Sequence, residues 1–429
     1  MQKNSAPVNL IVLSTAFAFM TLLPIAAQAE SSVSRPAIRD TQQEPPVAQS
    51  PEETETRLTK NWGGARTRLS EKGIDLALIS KWELNSVLSG GTNPGTVNLG
   101  NIDLRVSLDM AKLANWNGAS FFFYGLGNYG GDPTKNIGDE QGTSNIETPA
   151  NTAKLYEAWF QQIAFDEKAS FLIGLHDLNS EFYVTDSSTL FFNSSFGVGR
   201  ELSQTGLNGP SIFPTTAPAI RVRTEPSKSA YFQAAIFNAV SGDPSNPYGT
   251  HIRLKASDGV LLINEMAYLR GRESSSKELP AKYAFGLWTY TEPTPGETFV
   301  NHGAYLLADQ NISEDLSVFL RYGVADSRLN RFSSNLGLGT VYAGLIPGRP
   351  HDRFGIAWTR VNLAGEYRDE QTAAELPTKA SEDTLEANYR FEALPGVAIQ
   401  PDFQYVIAPS GDPLIPNASI VAVRLELSF

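Results

Sequence analysis

Asn101, Asp103, Arg105, Ser107 and Asp109 alternate without error with Ile102, Leu104, Val106 and Leu108. A period of two belongs to a β-strand, whose successive side chains point to opposite faces. One face here is charged and the other wholly aliphatic, which suits a wall with lipid on one side and water on the other. A soluble sandwich strand can alternate too, so recurrence has to decide. Segments of this character run through 75–87, 99–110, 118–128, 153–165, 169–178, 216–226, 229–238 and 258–268. They continue through 281–290, 303–310, 315–325, 338–346, 353–361, 382–391, 397–407 and 419–429, although 258–268 and 338–346 alternate poorly. The count is sixteen, an even number in the range where a closed barrel keeps an aqueous channel. The expected fold is all-β: a transmembrane antiparallel up-and-down barrel over residues 74–429.

The connections carry the same message. If the first strand runs outward, the outer connections include 129–152, 179–215, 239–257 and 362–381, all long and polar or Gly-rich. The inner ones include Asp166-Glu167-Lys168 and Pro226-Ser227-Lys228, which are tight turns. Long loops at one end and short turns at the other are the asymmetry of outer-membrane barrels. The 269–280 connection is too long for this pattern. In the last strand Val421, Val423, Leu425, Leu427 and Phe429 share one face, and Ala422, Arg424, Glu426 and Ser428 the other.

Ahead of the barrel, Lys3, an apolar stretch from Val8 to Leu23 and Ala27-Gln28-Ala29 read as a signal peptide over residues 1–29. Residues 30–56, rich in Ser, Pro, Gln and Glu, read as a flexible tether. Leu58, Trp62, Ala65 and Leu69 recur at helical spacing and predict a short periplasmic helical segment at 57–73, weakened by Gly63 and Gly64. Beyond the signal no apolar run is long enough for a spanning helix. The net charge of −12 argues against nucleic acid as a partner. Without cysteine there is no disulfide framework and no thiolate metal site. His176, His251, His302 and His351 lie outside any hydrolase or metalloprotease motif, so no enzyme, metal or cofactor is expected.

Several ordered stretches resemble the carbohydrate-selective, OprB-type porins of Gram-negative bacteria. They are Asn61 to Arg66, Gly100 to Leu104, Lys154 to Gln162, Phe191 to Gly197, Tyr389-Arg390 and Ile399 to Val406. The resemblance runs from Asn61 to Phe429 and leaves out residues 30–56. It implies an outer-membrane barrel of sixteen strands that passes small carbohydrates, monosaccharides such as glucose, into the periplasm without a cofactor. It also implies a chain that works as a monomer rather than a trimer. Its terminal aromatic strand would be read by the outer-membrane barrel assembly machinery, and its outer face would meet outer-membrane lipids. A general or weakly ion-selective diffusion pore, and a secreted β-rich sugar-binding protein, stay open as alternatives.

Sugars are handled by planar polar side chains and aromatic faces, weakly enough to be released. With the aliphatic face outward, Glu83, Asp103, Arg105, Asp402 and Gln404 point into the lumen. Placing Tyr156, Ala158 and Phe160 outward leaves Glu157, Trp159 and Gln161 inside, and Arg221, Arg223 and Arg321 also face inward. These residues are the candidate substrate contacts, with Arg105, Glu157 and Trp159 at their centre. Phe182, Tyr183, Phe191, Phe192 and Phe196 make the 179–215 loop too apolar for solvent, so it is expected to fold into the mouth or lumen.

Overall fold

The computed structural model describes residues 56–271, 278–294 and 297–429. The signal peptide and all of the tether except Thr56 lie outside the described residues. The sixteen expected strands all form. They are β1 Ile74–Ser89, β2 Gly95–Asp109, β3 Ala119–Gly130, β4 Thr152–Ala164, β5 Ala169–His176, β6 Ala217–Ser227, β7 Ala230–Asn238 and β8 Val260–Arg270. The rest are β9 Ala281–Thr294, β10 Glu297–Asn311, β11 Leu316–Ala325, β12 Phe332–Ala343, β13 Arg353–Leu363, β14 Ser381–Leu394, β15 Val397–Ile407 and β16 Ala418–Ser428. Each pairs antiparallel with its sequence neighbours, and β1 pairs with β16 to close the barrel. Closure leaves no unpaired edge, as a sheet in lipid requires. The Phe429 amide extends that seam by donating to the Leu78 carbonyl at 2.9 Å.

The outward face is the aliphatic one: Ile102, Leu104, Ile220, Leu320 and Val423 are all exposed. Their alternates Asp103, Arg221, Arg321 and Ala422 are buried inside. The expected phase fails on β4, where Tyr124 pairs with Glu157 and Gly125 with Leu155. Tyr156 is therefore the extra residue of a bulge. It turns inward, and its hydroxyl donates to Asp177 at 2.7 Å, while Leu155 takes the lipid face.

The helical segment predicted at 57–73 shrinks to a helix at Ala65–Glu71, preceded by a 3-10 turn at Trp62–Gly64. Gly63 and Gly64 have φ of 63° and 86°, so the helix cannot extend back through them. The stretch before it docks on the seam: Leu58 N donates to Ser428 O at 2.9 Å and Arg57 Nη1 to Phe429 O at 3.3 Å.

Beyond Leu175, β5 no longer accompanies β4, because the chain turns into the lumen. Two side chains cover the gap: Thr250 Oγ1 of the loop after β7 donates to Leu155 O at 2.9 Å, and Thr216 Oγ1, just before β6, to Tyr156 O. Phe182, Tyr183, Phe191, Phe192 and Phe196 of the inturned segment, residues 177–216, are all essentially without solvent contact. The predicted infolding of this loop is what the structure has.

Candidate functional site

Wall residues hold the infolded loop. Glu386 on β14 accepts from the amides of Phe192 and Asn193 at 2.6 and 3.0 Å. Asp309 on β10 accepts from Ser187 N at 2.9 Å, and Glu265 on β8 from Tyr183 N at 3.0 Å. Arg321 on β11 donates to the carbonyls of Tyr183 and Gly197, and to Thr185 Oγ1 at 2.9 Å. Arg221 on β6 grips Glu181 with two bonds of 2.7 Å. Burial opposes charge on Glu181, yet Arg221 beside it overrides that cost and holds this carboxyl well below the usual range. Hydrogen bonds to charged groups contribute about 1.5–3 kcal/mol each, so the loop is firmly seated.

Apolar packing adds to the polar anchors. The Tyr183 ring stacks on Tyr305 with centroids 4.2 Å apart, and Phe191 and Phe196 pack on Phe319 at 5.6 and 5.7 Å. A second loop, residues 131–151, lies against β13 to β15. Glu382 accepts from Glu140 N at 2.9 Å and Gln141 N at 3.1 Å, and Gln404 Nε2 donates to Thr143 O at 2.8 Å. The two loops join where Ser194 N donates to Gly142 O at 2.8 Å.

Between these loops and the wall lie two cavities. The inner one, toward the termini, spans about 1690 Å³ counted to its open end and the outer one about 1310 Å³. The space within them that water can occupy is about 620 Å³ in the inner cavity and 490 Å³ in the outer one, within the few hundred to 1,000 Å³ of a site for one small molecule. A solute crossing from one to the other meets what separates them. Asn145, Asn179, Gly197 and Phe213 line both cavities and form the neck. Asn145 is fixed by Arg424, which donates to its Oδ1 at 2.9 Å, and Asn179 by its bonds to Phe182 O and Gly197 O at 3.1 and 3.2 Å. The neck is two amides, a stretch of backbone and an aromatic ring.

Of the candidate contacts, Asp103, Arg105 and Arg321 line the inner cavity. Asp103 is the hub of a polar cluster: Tyr124 Oη donates to it at 2.6 Å, Asn101 Nδ2 at 3.0 Å, and Lys81 lies 3.5 Å away. The Arg105 guanidinium sits over the Tyr124 ring at 4.8 Å. Arg321 lies on the far side of the barrel from this cluster.

The other candidates line neither cavity. Glu83 is enclosed and accepts from Arg424 at 2.6 Å. Glu157 accepts from Trp159 Nε1 at 3.2 Å and Asp177 N at 3.0 Å. Trp159 has a face covered by Phe122, with centroids 4.9 Å apart. Gln161 accepts from Arg221 at 2.7 Å, Arg223 donates to Glu225 and Gln233 at 2.9 Å, and Asp402 accepts from Gln404 at 3.0 Å. Their inward phase is as expected, but protein rather than water occupies the space before them.

Sequence reading passed over Tyr124 and the neck. Ser120 to Tyr124 is apolar on both faces, so its phase becomes legible only from the pairing of Tyr124 with Arg105. Asn145 and Asn179 lie in loops, where no periodicity marks them. The outer cavity is edged by acids whose charge is muted. Burial lifts Asp139 to about 6 and Asp177 to about 7, and raises Glu147 well above the usual range.

A family model described as carbohydrate-selective porin, OprB family, matches residues 94–429. Porin B of Pseudomonas aeruginosa is 22% identical over 419 residues, covering 86% of this chain and 90% of that protein. A putative porin, QuiX, of Acinetobacter baylyi is 21% identical and covers 87% of this chain and 93% of its own length. Among solved structures, the high-pH structure of Pseudomonas putida OprB superposes with a TM-score of 0.76 at 22% identity, covering 87% of this chain and 98% of that one. That likeness carries the fold.

Proposed function

The chain belongs to the OprB family of carbohydrate-selective porins, and from that premise we propose that monosaccharides such as glucose diffuse through its lumen into the periplasm, down their own gradient. It is a porin of the Gram-negative outer membrane, a channel rather than an enzyme. Passage needs no chemical step, cofactor or energy source. The observation that carries the sugar reading is the neck, where Asn145, Asn179, Gly197 and Phe213 present amides, backbone and one apolar ring, with Arg424 and Arg321 behind them. A sugar has this same pairing of polar groups and an apolar ring face.

On the inner side Arg105, beside the Tyr124 that the enclosed Asp103 fixes, takes the sugar hydroxyls, while the Arg321 guanidinium is spent on the infolded loop. A modest number of contacts keeps the hold weak, which transport requires. The remaining inward charges, Glu83, Glu157, Gln161, Arg221, Arg223, Asp402 and Gln404, serve as loop and wall anchors in this reading, and Trp159 as packing beside Phe122. In this reading the closed barrel works as a monomer embedded in outer-membrane lipid through its aliphatic band. The strand ending on Phe429 is the part that the barrel assembly machinery reads.

Glucose block of single-channel current in planar bilayers tests the contacts. Arg105→Ala and Tyr124→Phe are each expected to weaken the block several-fold. If both leave it unchanged, the assignment of this cluster is wrong. A weakly ion-selective diffusion pore is the second reading, favoured by the excess of cations in the inner cavity. Swelling of proteoliposomes in sugars and in amino acids of matched size separates the two.

A further inference from the structure

The inner cavity is lined by Lys81, Arg105, Arg321, Arg353, Arg390 and Arg424, against the carboxylates Asp103, Glu392 and Glu426. This excess of cations sits in a chain whose net charge is −12. Ion pairing accounts for half of the cations. Lys81 lies 3.5 Å from Asp103, Arg390 pairs with Glu426 at 2.9 Å, and Arg424 pairs with Glu83 at 2.6 Å. Among the described residues no carboxylate lies within ion-pair distance of Arg105, Arg321 or Arg353.

Arg353 is the most telling of these. It opens β13 at the inner rim, is solvent-exposed, and is register-paired directly with Arg390 on β14. Like charges directly opposite on neighbouring strands destabilise a sheet. Arg390 has its own partner in Glu426, which leaves the Arg353 guanidinium free to face the water of the cavity. Among the described residues its guanidinium makes no hydrogen bond, and the neighbouring charges that act on it are Arg390, which repels it, and Asp186, which attracts it. Farther up the same path, Arg105 has its Nε buried without a partner among the described residues and its guanidinium 4.8 Å from the centre of the Tyr124 ring. A guanidinium fork is shaped for a carboxylate.

We propose that the channel also carries polyhydroxylated monocarboxylates, that is, sugar acids. They pass the neck by the contacts a neutral sugar uses and then step their carboxylate from Arg105 to Arg353 on the way to the periplasm. The proposal rests on the sugar-pore reading, since the hydroxylated part must cross the same neck. A single carboxylate on a water-facing guanidinium is held briefly, as conduction demands. Cations of the same size meet repulsion along the same stretch.

The test is flux into proteoliposomes containing the full channel, at zero membrane potential, with glucose, gluconate and protonated glucosamine as probes of matched size. Gluconate is expected to enter about threefold or more faster than glucosamine, the ratio from one unit charge several ångströms away in a watery lumen. Arg353→Gln should bring that ratio toward one and leave glucose flux unchanged, and R353E should invert it. The proposal is overturned if gluconate enters no faster than glucosamine while glucose enters readily. It is equally overturned if R353Q slows glucose and gluconate alike, since a merely structural arginine would do that. Failure of glucose itself to enter would instead remove the sugar-pore reading beneath it.

Discussion

Glu386→Ala should unseat the tip of the infolded loop while leaving the barrel closed. The Glu386 carboxylate accepts from Phe192 N at 2.6 Å, Asn193 N at 3.0 Å and Asn388 Nδ2 at 3.0 Å, and it lines neither cavity. Truncation leaves two enclosed backbone donors, those of Phe192 and Asn193, without their acceptor. A buried donor left unpaired costs about 1–3 kcal/mol, so the segment loses roughly 2–6 kcal/mol of seating. The strand pairs of β14 with β13 and β15 are backbone bonds and survive the change. Hydrogen exchange read by mass spectrometry on peptides spanning residues 186–196 measures the loss directly. At about 1.4 kcal/mol per decade, protection there should drop by about 30-fold or more, while β-strand peptides stay as protected as in the parent. Because Phe191 and Phe196 border the inner cavity, single-channel conductance should rise and become noisier. Unchanged protection together with unchanged conductance would refute the idea that wall carboxylates hold the constriction.

Two further outcomes follow from the same packing. A Cβ at Gly286 would lie 2.0 Å from Cζ of Tyr305, so Gly286→Ala should cost about 1–3 kcal/mol by displacing that ring and the stacked Tyr183. The thermal midpoint of the detergent-solubilised barrel and glucose block report it, and an unshifted midpoint would contradict the close fit. Glu201, beside Tyr183 Oη at 2.7 Å and near Arg321, is raised by burial to about 7. An unfolded glutamate titrates near 4.3, so the seated loop holds the proton more tightly than the free chain. Its stability is full below about pH 4.3 and declines as pH rises to about 7, by roughly 4 kcal/mol. Glu201→Gln should flatten that slope in hydrogen exchange of residues 198–204; an unaltered slope would assign the effect elsewhere.

Much of the fold was legible because lipid and water demand opposite side chains. Asp103 and Leu104 announce their faces without help, and the phase they set holds around the barrel. The strands that alternated poorly carry a different lesson. On β8 Leu261 and Ile263 point inward yet are apolar, because Phe182 and Tyr183 of the infolded loop share their cluster. On β12 the inward positions include Gly337 and Gly339, and Phe196 and Phe319 occupy the space a side chain would need. Alternation weakened where protein had replaced water, so the irregular strands marked where the loop lies.

The candidate site was less legible for the same reason. Arg221 and Gln404 obey the inward phase, but phase cannot tell a charge that meets water from one that meets a loop. Arg221 ends on Glu181, and Gln404 on the Thr143 carbonyl. The bulge at Tyr156 shifts a phase by one residue, which no local pattern announces. The neck is a tertiary object made by loops whose residues carry no periodicity.

The central claim is that chemistry at the neck, rather than size alone, decides what passes. Swelling rates of proteoliposomes in isosmotic monosaccharides and in neutral amino acids of equal or smaller size test it most directly. The account predicts that glucose and its isomers enter faster than amino acids of their size, and that Phe213→Ala or Asn179→Ala narrows that advantage. Rates that fall on one curve of molecular size, sugars and amino acids together, would contradict it.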